Sequence, residues 1–331
     1  MQTIFGIEHI EAAPSCVSFG VFDGVHLGHQ AVLRRMVDNG RAAGSRTVAM
    51  TFDPHPDAVI GRGGPPLLLT TLEEKIEAIA DCNDPDVLLV ARFDRDLAAM
   101  EAEDFVRRVL AETIGARCVV VGHDAVFGSR GRGNIALLRQ LGARLGMPTV
   151  EQVGSISVHA RDVSSSAIRA LLTQGDVVLA REMLGRPYAL GGAVVRGHGV
   201  GRSMGFPTVN LHPDAGKLIP APGVYAGWAD VGREPATRQR GGEQAQTAGK
   251  HWPAALSIGT RETFGGTELA IEAYLLDYSG DLYGQRVALK FWERLRGQQR
   301  FDSAEALRAQ MADDVQRTRA ALPEEIPGCT L

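Results

Sequence analysis

The feature that most constrains this fold is a regular alternation of short apolar runs and helical patterns between about residues 16 and 172. The runs are rich in β-branched residues and apolar at consecutive positions, which is typical of parallel strands buried on both faces. They read CVSFGVF, RTVAMTF, DVLLVA, RCVVVG and TVEQV. Between them lie helical stripes such as Val32, Leu33, Met36 and Val37, and Phe105, Val106, Val109 and Leu110. This order predicts a doubly wound, Rossmann-like α/β sheet, which binds ligands at the carboxyl ends of its strands.

After about Gly185 the alternation gives way to strand-like runs separated by Gly and Pro turns, with no helices between them. The runs read YALGGAVVR, PTVNL, GVYAGWAD, AALSIGT, LAIEAYLLD and RVALKFW. This pattern predicts a small antiparallel barrel or sandwich. A closing helix is predicted at the end of the chain, where Asp302 and Glu305 form a capping-box pattern. Its apolar face is formed by Leu307, Met311 and Val315.

The length of the chain, 331 residues, favours two domains, because single cores usually stop growing before that size. We place these domains at residues 1–185 and 186–331. The segment GDVVLAREMLGRP is predicted as a helix followed by the linker, and Arg233–Lys250, which has almost no apolar content, as a surface loop. With 44% apolar and 22% charged residues, the composition is that of a globular protein.

Charge and targeting signals exclude several classes of protein. The net charge of −4 comes without a long basic block, so a nucleic-acid partner is not favoured. The N-terminus carries Glu8 and Glu11 and does not resemble a signal peptide, and no run approaches the ~18 apolar residues of a membrane span. We expect a cytoplasmic protein with reduced thiols, because its cysteines are scattered without a CxxC pair: Cys16, Cys82, Cys118 and Cys329.

The stretch GVFDGVHLGH follows the first predicted strand and presents His26 and His29 just before a helix. Two histidines at this spacing are metal ligands, structural residues or part of an anion site. No HExxH or cysteine cluster supports zinc. Gly24 and Gly28 let a substrate approach the backbone, and the N–H groups of the following helix point at the same spot, which favours an anion site. The stretch matches neither GxGxxG nor GxxxxGK[ST], so a dinucleotide dehydrogenase or P-loop ATPase is not favoured.

At these residues the chain resembles a family. FDGVHLGH resembles the HxGH signature of the nucleotidyltransferases, and the longer stretch resembles the adenylyltransferase module of bacterial bifunctional riboflavin kinase/FMN adenylyltransferases, the FAD synthetases. Three further motifs follow in the family's order: TFDPHP at 51–56, VGHDAVFGSRGRG at 121–133 and VSSSAIR at 163–169. HxGH alone would be a weak signal, whereas four ordered motifs are specific.

The resemblance implies an adenylyl-transfer site in the first half, where positioning and charge stabilisation are sufficient for catalysis. The implied catalytic residues are His26 and His29, as contacts to the ATP phosphates. The implied ATP site also includes Gly20, Phe22, Asp23, Gly24, Gly28, Ser165, Ser166 and Arg169. The planar guanidinium of Arg169 suits an anion with several oxygens.

The implied flavin side of this site consists of Asp53, His55, Asp124 and Phe127. Asp53 and His55 fit equally well as caps of a turn between two prolines. Phe127 fits the core equally well. Ala125 stands where the family usually has an aromatic residue, which bears on how the flavin stacks.

In the second half, residues 191–210 have the sequence GGAVVRGHGVGRSMGFPTVN. Its many glycines are typical of a loop that closes over a phosphate or of a surface hairpin. It resembles the riboflavin kinase signature GRxxGFPTxN. The implied ATP-binding residues are Gly197, Gly201, Arg202, Gly205, Phe206, Pro207, Thr208 and Asn210. Of these, Thr208 and Asn210 would hold Mg²⁺, since both offer the oxygens that a hard cation prefers. Without the resemblance, such a pair would read as strand surface.

Glu272 lies in a strand in which alternate residues are predicted to point inward, namely Leu269, Ile271, Ala273 and Leu275. Its own side chain is therefore expected to project from the other face. A glutamate there faces solvent or, as the resemblance implies, is the base that accepts the proton of the riboflavin 5′-hydroxyl. Ser257 and Glu262, in the preceding block, stand where the family has Asn and Pro.

These patterns predict a nucleotidyltransferase domain followed by a β-barrel riboflavin kinase domain with a closing helix. The chain is expected to convert riboflavin to FMN and FMN to FAD with ATP and Mg²⁺. The expected partners are these small molecules, without nucleic acid or membrane, and a homo-oligomer is left open. The alternatives are a protein with one active module, through Ala125 or through Ser257 and Glu262, and a flavin-binding regulatory protein without turnover.

Overall fold

The structure is a computed structural model that describes residues 1–61, 64–197, 204–232, 250–263 and 266–326. The chain forms two compact units, which divide between Ser164 and Ser165. The predicted surface loop at 233–249 lies outside the described residues, and Lys250 already begins a strand.

The first unit contains a six-stranded sheet in which all pairs of neighbouring strands are parallel. Its strands are β1 (Gln2–Phe5), β2 (Ser15–Phe19), β3 (Arg46–Asp53), β4 (Val87–Arg92), β5 (Ala116–Gly122) and β6 (Thr149–Val153), in the order β1-β4-β3-β2-β5-β6. Its helices are α1 (Leu27–Ala42), α2 (Pro56–Ile60), α3 (Leu72–Asn83), α4 (Arg95–Ala99), α5 (Ala102–Asp104), which runs into a π-helix at Phe105–Ile114, and α6 (Ile135–Arg144). A short antiparallel pair, β7 (Ser157–Val158) and β8 (Arg161–Asp162), follows the sheet.

The predicted doubly wound sheet is confirmed, and β2 to β5 are largely buried as their composition predicts. The expectation of a buried strand is wrong for TVEQV, because β6 lies at the edge of the sheet and is only partly buried. All five residues of β2 are buried, and the stripe Val32, Leu33, Met36 and Val37 of α1 lies in the interior. The strand β1 was not predicted from the sequence. It extends the sheet beyond β4 as an edge strand.

The second unit contains a closed antiparallel barrel, which decides between the barrel and the sandwich that the sequence left open. The strands are β9 (Tyr188–Val195), β10 (Val209–Pro213), β11 (Gly223–Val231), β12 (Lys250–Thr263), β13 (Gly266–Leu275) and β14 (Arg286–Arg296), in the order β10-β13-β12-β11-β14-β9. The helices of this unit are α7 (Ser165–Gln174), α8 (Val177–Leu184) and α9 (Ala304–Ala321).

The helical segment before the barrel packs on the barrel and belongs to the same compact unit. The compact units therefore divide before this segment, whereas the predicted domain boundary lies after it, between residues 185 and 186. In α8, the guanidinium of Arg181 lies 3.4 Å from the centre of the Trp292 ring. The carbonyl of Leu172, in α7, accepts a hydrogen bond from the Ala221 amide. These contacts group α7 and α8 with the barrel.

The closing helix α9 is present, but its predicted N-cap is wrong by one residue. Ser303 caps the helix by accepting a hydrogen bond from the amide of Ala306 at 3.1 Å. The capping box assigned to Asp302 and Glu305 is therefore not formed. A buried ion pair, Arg296–Asp314 at 2.7 Å, holds the helix on the barrel.

The expectation of reduced cysteines is wrong for one pair. Cys16 on β2 and Cys118 on β5 are register partners of neighbouring strands, with their Cα atoms 4.3 Å apart, and they form a disulfide. Pairing across strands cannot be read from residues so far apart in sequence. In the parts of the chain described, no helix has the length and apolarity needed to span a membrane.

Candidate active sites

The first candidate site lies at the carboxyl ends of β2 and β3, where doubly wound sheets bind their ligands. His26 is the N-cap of α1, and its Nδ1 accepts a hydrogen bond from the His29 amide at 3.3 Å. The two imidazole rings stack with their centres 3.6 Å apart. The two histidines therefore lie together at the N-terminus of a helix, as the sequence predicts.

The loop between β2 and α1 has backbone conformations that side chains rarely adopt. Phe22 and Val25 have φ of +50° and +42°, and Gly24 between them has φ of +84°. A β-branched residue such as Val25 is unfavourable there, at a cost of about 1–3 kcal/mol. Val25 is fully buried, and its carbonyl accepts a hydrogen bond from Gln30 at 2.8 Å. Surrounding contacts therefore hold this strained segment in place.

The carboxylate of Asp23 is the main link between this loop and the rest of the unit. It is 2% exposed and accepts hydrogen bonds from the Leu69 and Thr70 amides and from the Thr70 hydroxyl, at 3.0–3.2 Å. Thr70 Oγ1 also accepts a hydrogen bond from the Gly24 amide at 3.0 Å. Asp23 thus points inward and anchors the loop to the segment before α3. A direct contact between Asp23 and ATP stays a prediction.

The glycines of the stretch make room for the rings beside them. A Cβ atom on Gly20 would lie 3.1 Å from the Phe22 ring, and one on Gly28 would lie 3.2 Å from the His26 ring. Phe22 is 3% exposed and packs edge-on against His29. The Phe22 ring therefore helps to hold the His29 ring in place.

The serine-rich motif begins at the division between the compact units. The carbonyl of Val163, the first residue of the motif, would lie 3.9 Å from a Cβ on Gly28, so the start of the motif runs past the start of α1. The motif then opens α7. The contacts of Ser165, Ser166 and Arg169 with ATP stay predictions.

On the flavin side, the structure separates the alternatives that the sequence left open. His55 is the N-cap of α2, and its Nδ1 accepts a hydrogen bond from the Asp57 amide at 3.1 Å, as the capping alternative predicts. Phe127 is 8% exposed and packs against Phe19 and Phe105, as the core alternative predicts. Asp53 and Asp124 are exposed, at the end of β3 and after β5.

The second candidate site is a polar row across three strands of the barrel. Glu272 on β13 is the register partner of Asn210 on β10 and of Ser257 on β12. Residues directly opposite each other in antiparallel strands share a face of the sheet. Ile271, Ala273 and Leu275 are buried in the barrel, so the half-buried Glu272 and its two partners lie on the outer face. The inward orientation predicted for Leu269 is wrong, since this residue is 41% exposed.

The signature loop approaches this row at Asn210. A Cβ atom on Gly197 would collide with the Asn210 side-chain amide, so this glycine lets the loop pass directly over it. The ring of Phe206 packs edge-on against Tyr274, one step along the same face from Glu272. Gly205 has φ of +87°; Pro207 is exposed and Thr208 is half-buried. Gly201 and Arg202 lie outside the described residues.

The other end of the row is closed by a residue that the sequence analysis missed. Gln298 donates a hydrogen bond from Nε2 to the Ile258 carbonyl at 2.6 Å, and the same nitrogen lies 3.5 Å from Ser257 Oγ. The residue follows β14 and carries no motif of its own, so its place beside the row depends on the barrel closing. The side chain of Glu262 lies outside the described residues.

Comparisons with known proteins match both halves. Residues 9–167 match the family model of FAD synthetase, and residues 184–322 match that of riboflavin kinase. The bifunctional riboflavin kinase/FMN adenylyltransferase of Escherichia coli K12 is 34% identical over 317 residues, covering 95% of this chain and 96% of that protein. The Haemophilus influenzae protein of the same name is 32% identical over 322 residues, covering 97% and 99%.

The chain belongs to the bifunctional riboflavin kinase/FMN adenylyltransferase family. It phosphorylates riboflavin with ATP to give FMN, and it adenylylates FMN with ATP to give FAD. Enzymes that transfer phosphoryl or nucleotidyl groups from ATP use divalent metal ions to neutralise the phosphate charge.

The fold is also that of a solved structure. The crystal structure described as a macrolide-efflux protein from Streptococcus pneumoniae aligns with a TM-score of 0.80 at 26% identity, covering 96% of this chain and 99% of that one. The chain therefore shares its fold with that structure over nearly its whole length.

Gly197→Ala is expected to reduce FMN formation from riboflavin by about tenfold or more, because the added Cβ displaces the Asn210 amide and small displacements at a site are costly. FAD formation from supplied FMN should stay at the parent rate. Gly297→Ala is the matched control, since a Cβ there meets no atom within 4 Å. Initial rates of both reactions measure the effect. Parent-like FMN formation by Gly197→Ala would show that the loop does not need this close approach.

Proposed function

We propose that adenylyl transfer takes place at the histidine pair beside α1. An oxygen of the FMN phosphate attacks the α-phosphorus of ATP, and the bond to the pyrophosphate oxygen breaks. The observation that supports this assignment best is the stacking of His26 and His29 at the N-terminus of a 16-residue helix. The helix dipole and two imidazoles are directed at one place, which suits a transition state with growing negative charge.

The proton of His26 can be assigned from its hydrogen bond. Its Nδ1 accepts from the His29 amide, so the neutral ring carries its proton on Nε2. Nε2–H is then the group that His26 presents to a phosphate oxygen. His29 follows one turn later, as the second contact on the same group. We also assign Ser165, Ser166 and Arg169 to the ATP phosphates, because their hydroxyls and guanidinium are suitable donors.

For the flavin side of this site we retain the exposed carboxylates Asp53 and Asp124. Both follow strands whose carboxyl ends face the same edge of the sheet as the histidine loop. His55 contributes as the cap that fixes the start of α2 beside Asp53. Phe127, three residues after Asp124, contributes by packing against Phe19 and Phe105, which anchors this part of the chain in the core.

We propose that phosphorylation of riboflavin takes place at the polar row of the barrel. Glu272 accepts the proton of the 5′-hydroxyl while that oxygen attacks the γ-phosphorus of ATP and the bond to ADP breaks. The supporting observation is the register that sets Glu272 between Asn210 and Ser257. The loop residues Gly197, Gly201, Arg202, Gly205, Phe206 and Pro207 are assigned to the ATP phosphates.

The ion that the kinase reaction needs is proposed to be Mg²⁺, held by Thr208 and Asn210. Their hydroxyl and amide oxygens are hard donors, and Mg²⁺ in such sites is typically held by one or two side chains together with substrate phosphates. The ion neutralises phosphate charge when bound.

EDTA should stop both reactions, and added Mg²⁺ should restore them. Full activity in the presence of EDTA would contradict the proposal.

We infer that riboflavin, FMN and ATP are the partners that the two sites require. A cytoplasmic location, the lack of a nucleic-acid or membrane partner, and a homo-oligomer stay predictions.

Two substitutions are expected to have opposite effects on the two activities. His29→Ala should reduce FAD formation from FMN by about 100-fold or more, because it removes a contact to the transferring phosphate, and should leave FMN formation intact. Glu272→Gln should reduce FMN formation from riboflavin, because the amide cannot take the proton, and should leave FAD formation from FMN intact. Initial rates, with products separated by chromatography, measure both.

The controls are His9→Ala, at a 68% exposed side chain of the first unit, and Glu293→Gln, at an exposed position of β14. Both should retain parent rates. FAD formation at the parent rate by His29→Ala would disprove the assignment of the first site. Loss of both activities in a folded Glu272→Gln protein would argue against two independent sites.

A further inference from the structure

Lys75 is a buried cation next to the first site, and the assignments above give it no role. It lies in the first turn of α3, after the capping box of Thr71 and Glu74, and is 6% exposed. Lysine is rarely buried to this extent unless a carboxylate faces it. Its surroundings therefore need an explanation beyond the packing of α3.

The Lys75 ammonium reaches the strained loop through one hydroxyl. Its Nζ lies 3.4 Å from Thr51 Oγ1 on β3. That hydroxyl donates a hydrogen bond to the Val21 carbonyl at 3.0 Å. Val21 directly precedes Phe22, the first residue of the loop with positive φ. Thr51 is fully buried, so this link is shielded from water.

The charge of the Lys75 ammonium is coupled to two carboxylates of the first unit. Asp23, the anchor of the loop, and Asp53, at the end of β3, both favour its charged form, while burial, the larger effect, lowers the pKa of Lys75. The Asp23 carboxylate is buried, and a buried carboxylate is stable only when hydrogen bonds and an opposite charge compensate its lost hydration. The amides of Leu69 and Thr70 supply hydrogen bonds to Asp23, and Asp23 in turn favours the charged form of Lys75.

We propose that Lys75 is a positioning residue for adenylyl transfer, which holds the Val21–Val25 loop, and through it the histidine pair, in the geometry that binds the ATP phosphates. It acts through the Thr51 hydroxyl, which donates its hydrogen bond to the Val21 carbonyl. At 6% exposure, its ammonium does not itself reach a phosphate. This inference rests on the assignment of the first site to adenylyl transfer.

Lys75→Met, which removes the charge at nearly the same side-chain length, tests the proposal. We expect the KM for ATP in FAD formation to rise by about tenfold or more, because the histidines are displaced. FMN formation by the same preparation should be unchanged. The matched control is Lys217→Met, at a lysine of the second unit that is 4% exposed and that should leave FAD formation from FMN unaffected.

The ratio of effects on KM and kcat separates positioning from a merely structural role. A lysine needed only for stability would lower the amount of active enzyme, and hence the apparent kcat, without changing the KM for ATP. If Lys75→Met does not fold, Thr51→Val takes its place, because it removes only the bridging hydroxyl; it should raise the same KM by about threefold or more. An unchanged KM in a folded Lys75→Met protein, or in Thr51→Val as its substitute, would overturn the proposal.

Failure of this inference is distinguishable from failure of the site assignment. If His29→Ala abolishes FAD formation while Lys75→Met retains the parent KM, only the role of Lys75 is wrong. If His29→Ala leaves FAD formation intact, the site itself is wrongly assigned, and the inference about Lys75 fails with it.

Discussion

The burial of the Asp23 carboxylate controls the shape of the first site. At 2% exposure, this carboxylate depends on the hydrogen bonds from Leu69 and Thr70, which tie the loop after β2 to the start of α3. Because the loop is tied down, Phe22 and Val25 remain in left-handed conformations that would otherwise relax. The loop then delivers His26 to the N-cap of α1, with His29 stacked beside it. The strained backbone of the loop thus fixes the positions of two imidazoles at the positive end of a helix.

The barrel positions its polar row in a different way, by strand register rather than by a strained loop. Asn210, Ser257 and Glu272 are far apart in sequence and become neighbours only when β10, β13 and β12 pair. A shift of one residue in β13 would turn Glu272 into the barrel and break the row. The two proposed sites therefore depend on separate constraints, one on the hydrogen bonds of a buried carboxylate and one on the register of three strands.

Much of the fold could be predicted from the sequence, because the strands β2 to β6 are short apolar runs and the stripe of α1 has helical spacing. The histidine loop and the strand of Glu272 were likewise located by their motifs. What could not be predicted depends on pairing across the chain. The Cys16–Cys118 disulfide, the position of Gln298 and the burial of Lys75 all require the folded sheet or barrel. The sequence fits Phe127 equally well as a flavin contact and as a core residue, and only its contacts with Phe19 and Phe105 place it in the core.

The most direct test of this account, in which one chain carries two separate sites used in order, is a time course of products. The purified protein is incubated with riboflavin, ATP and Mg²⁺, and riboflavin, FMN and FAD are separated by chromatography at successive times. The account predicts that FMN rises first and that FAD follows as FMN is consumed. FMN that accumulates without any FAD would contradict the assignment of adenylyl transfer to the histidine loop, and the absence of both products would contradict the account as a whole.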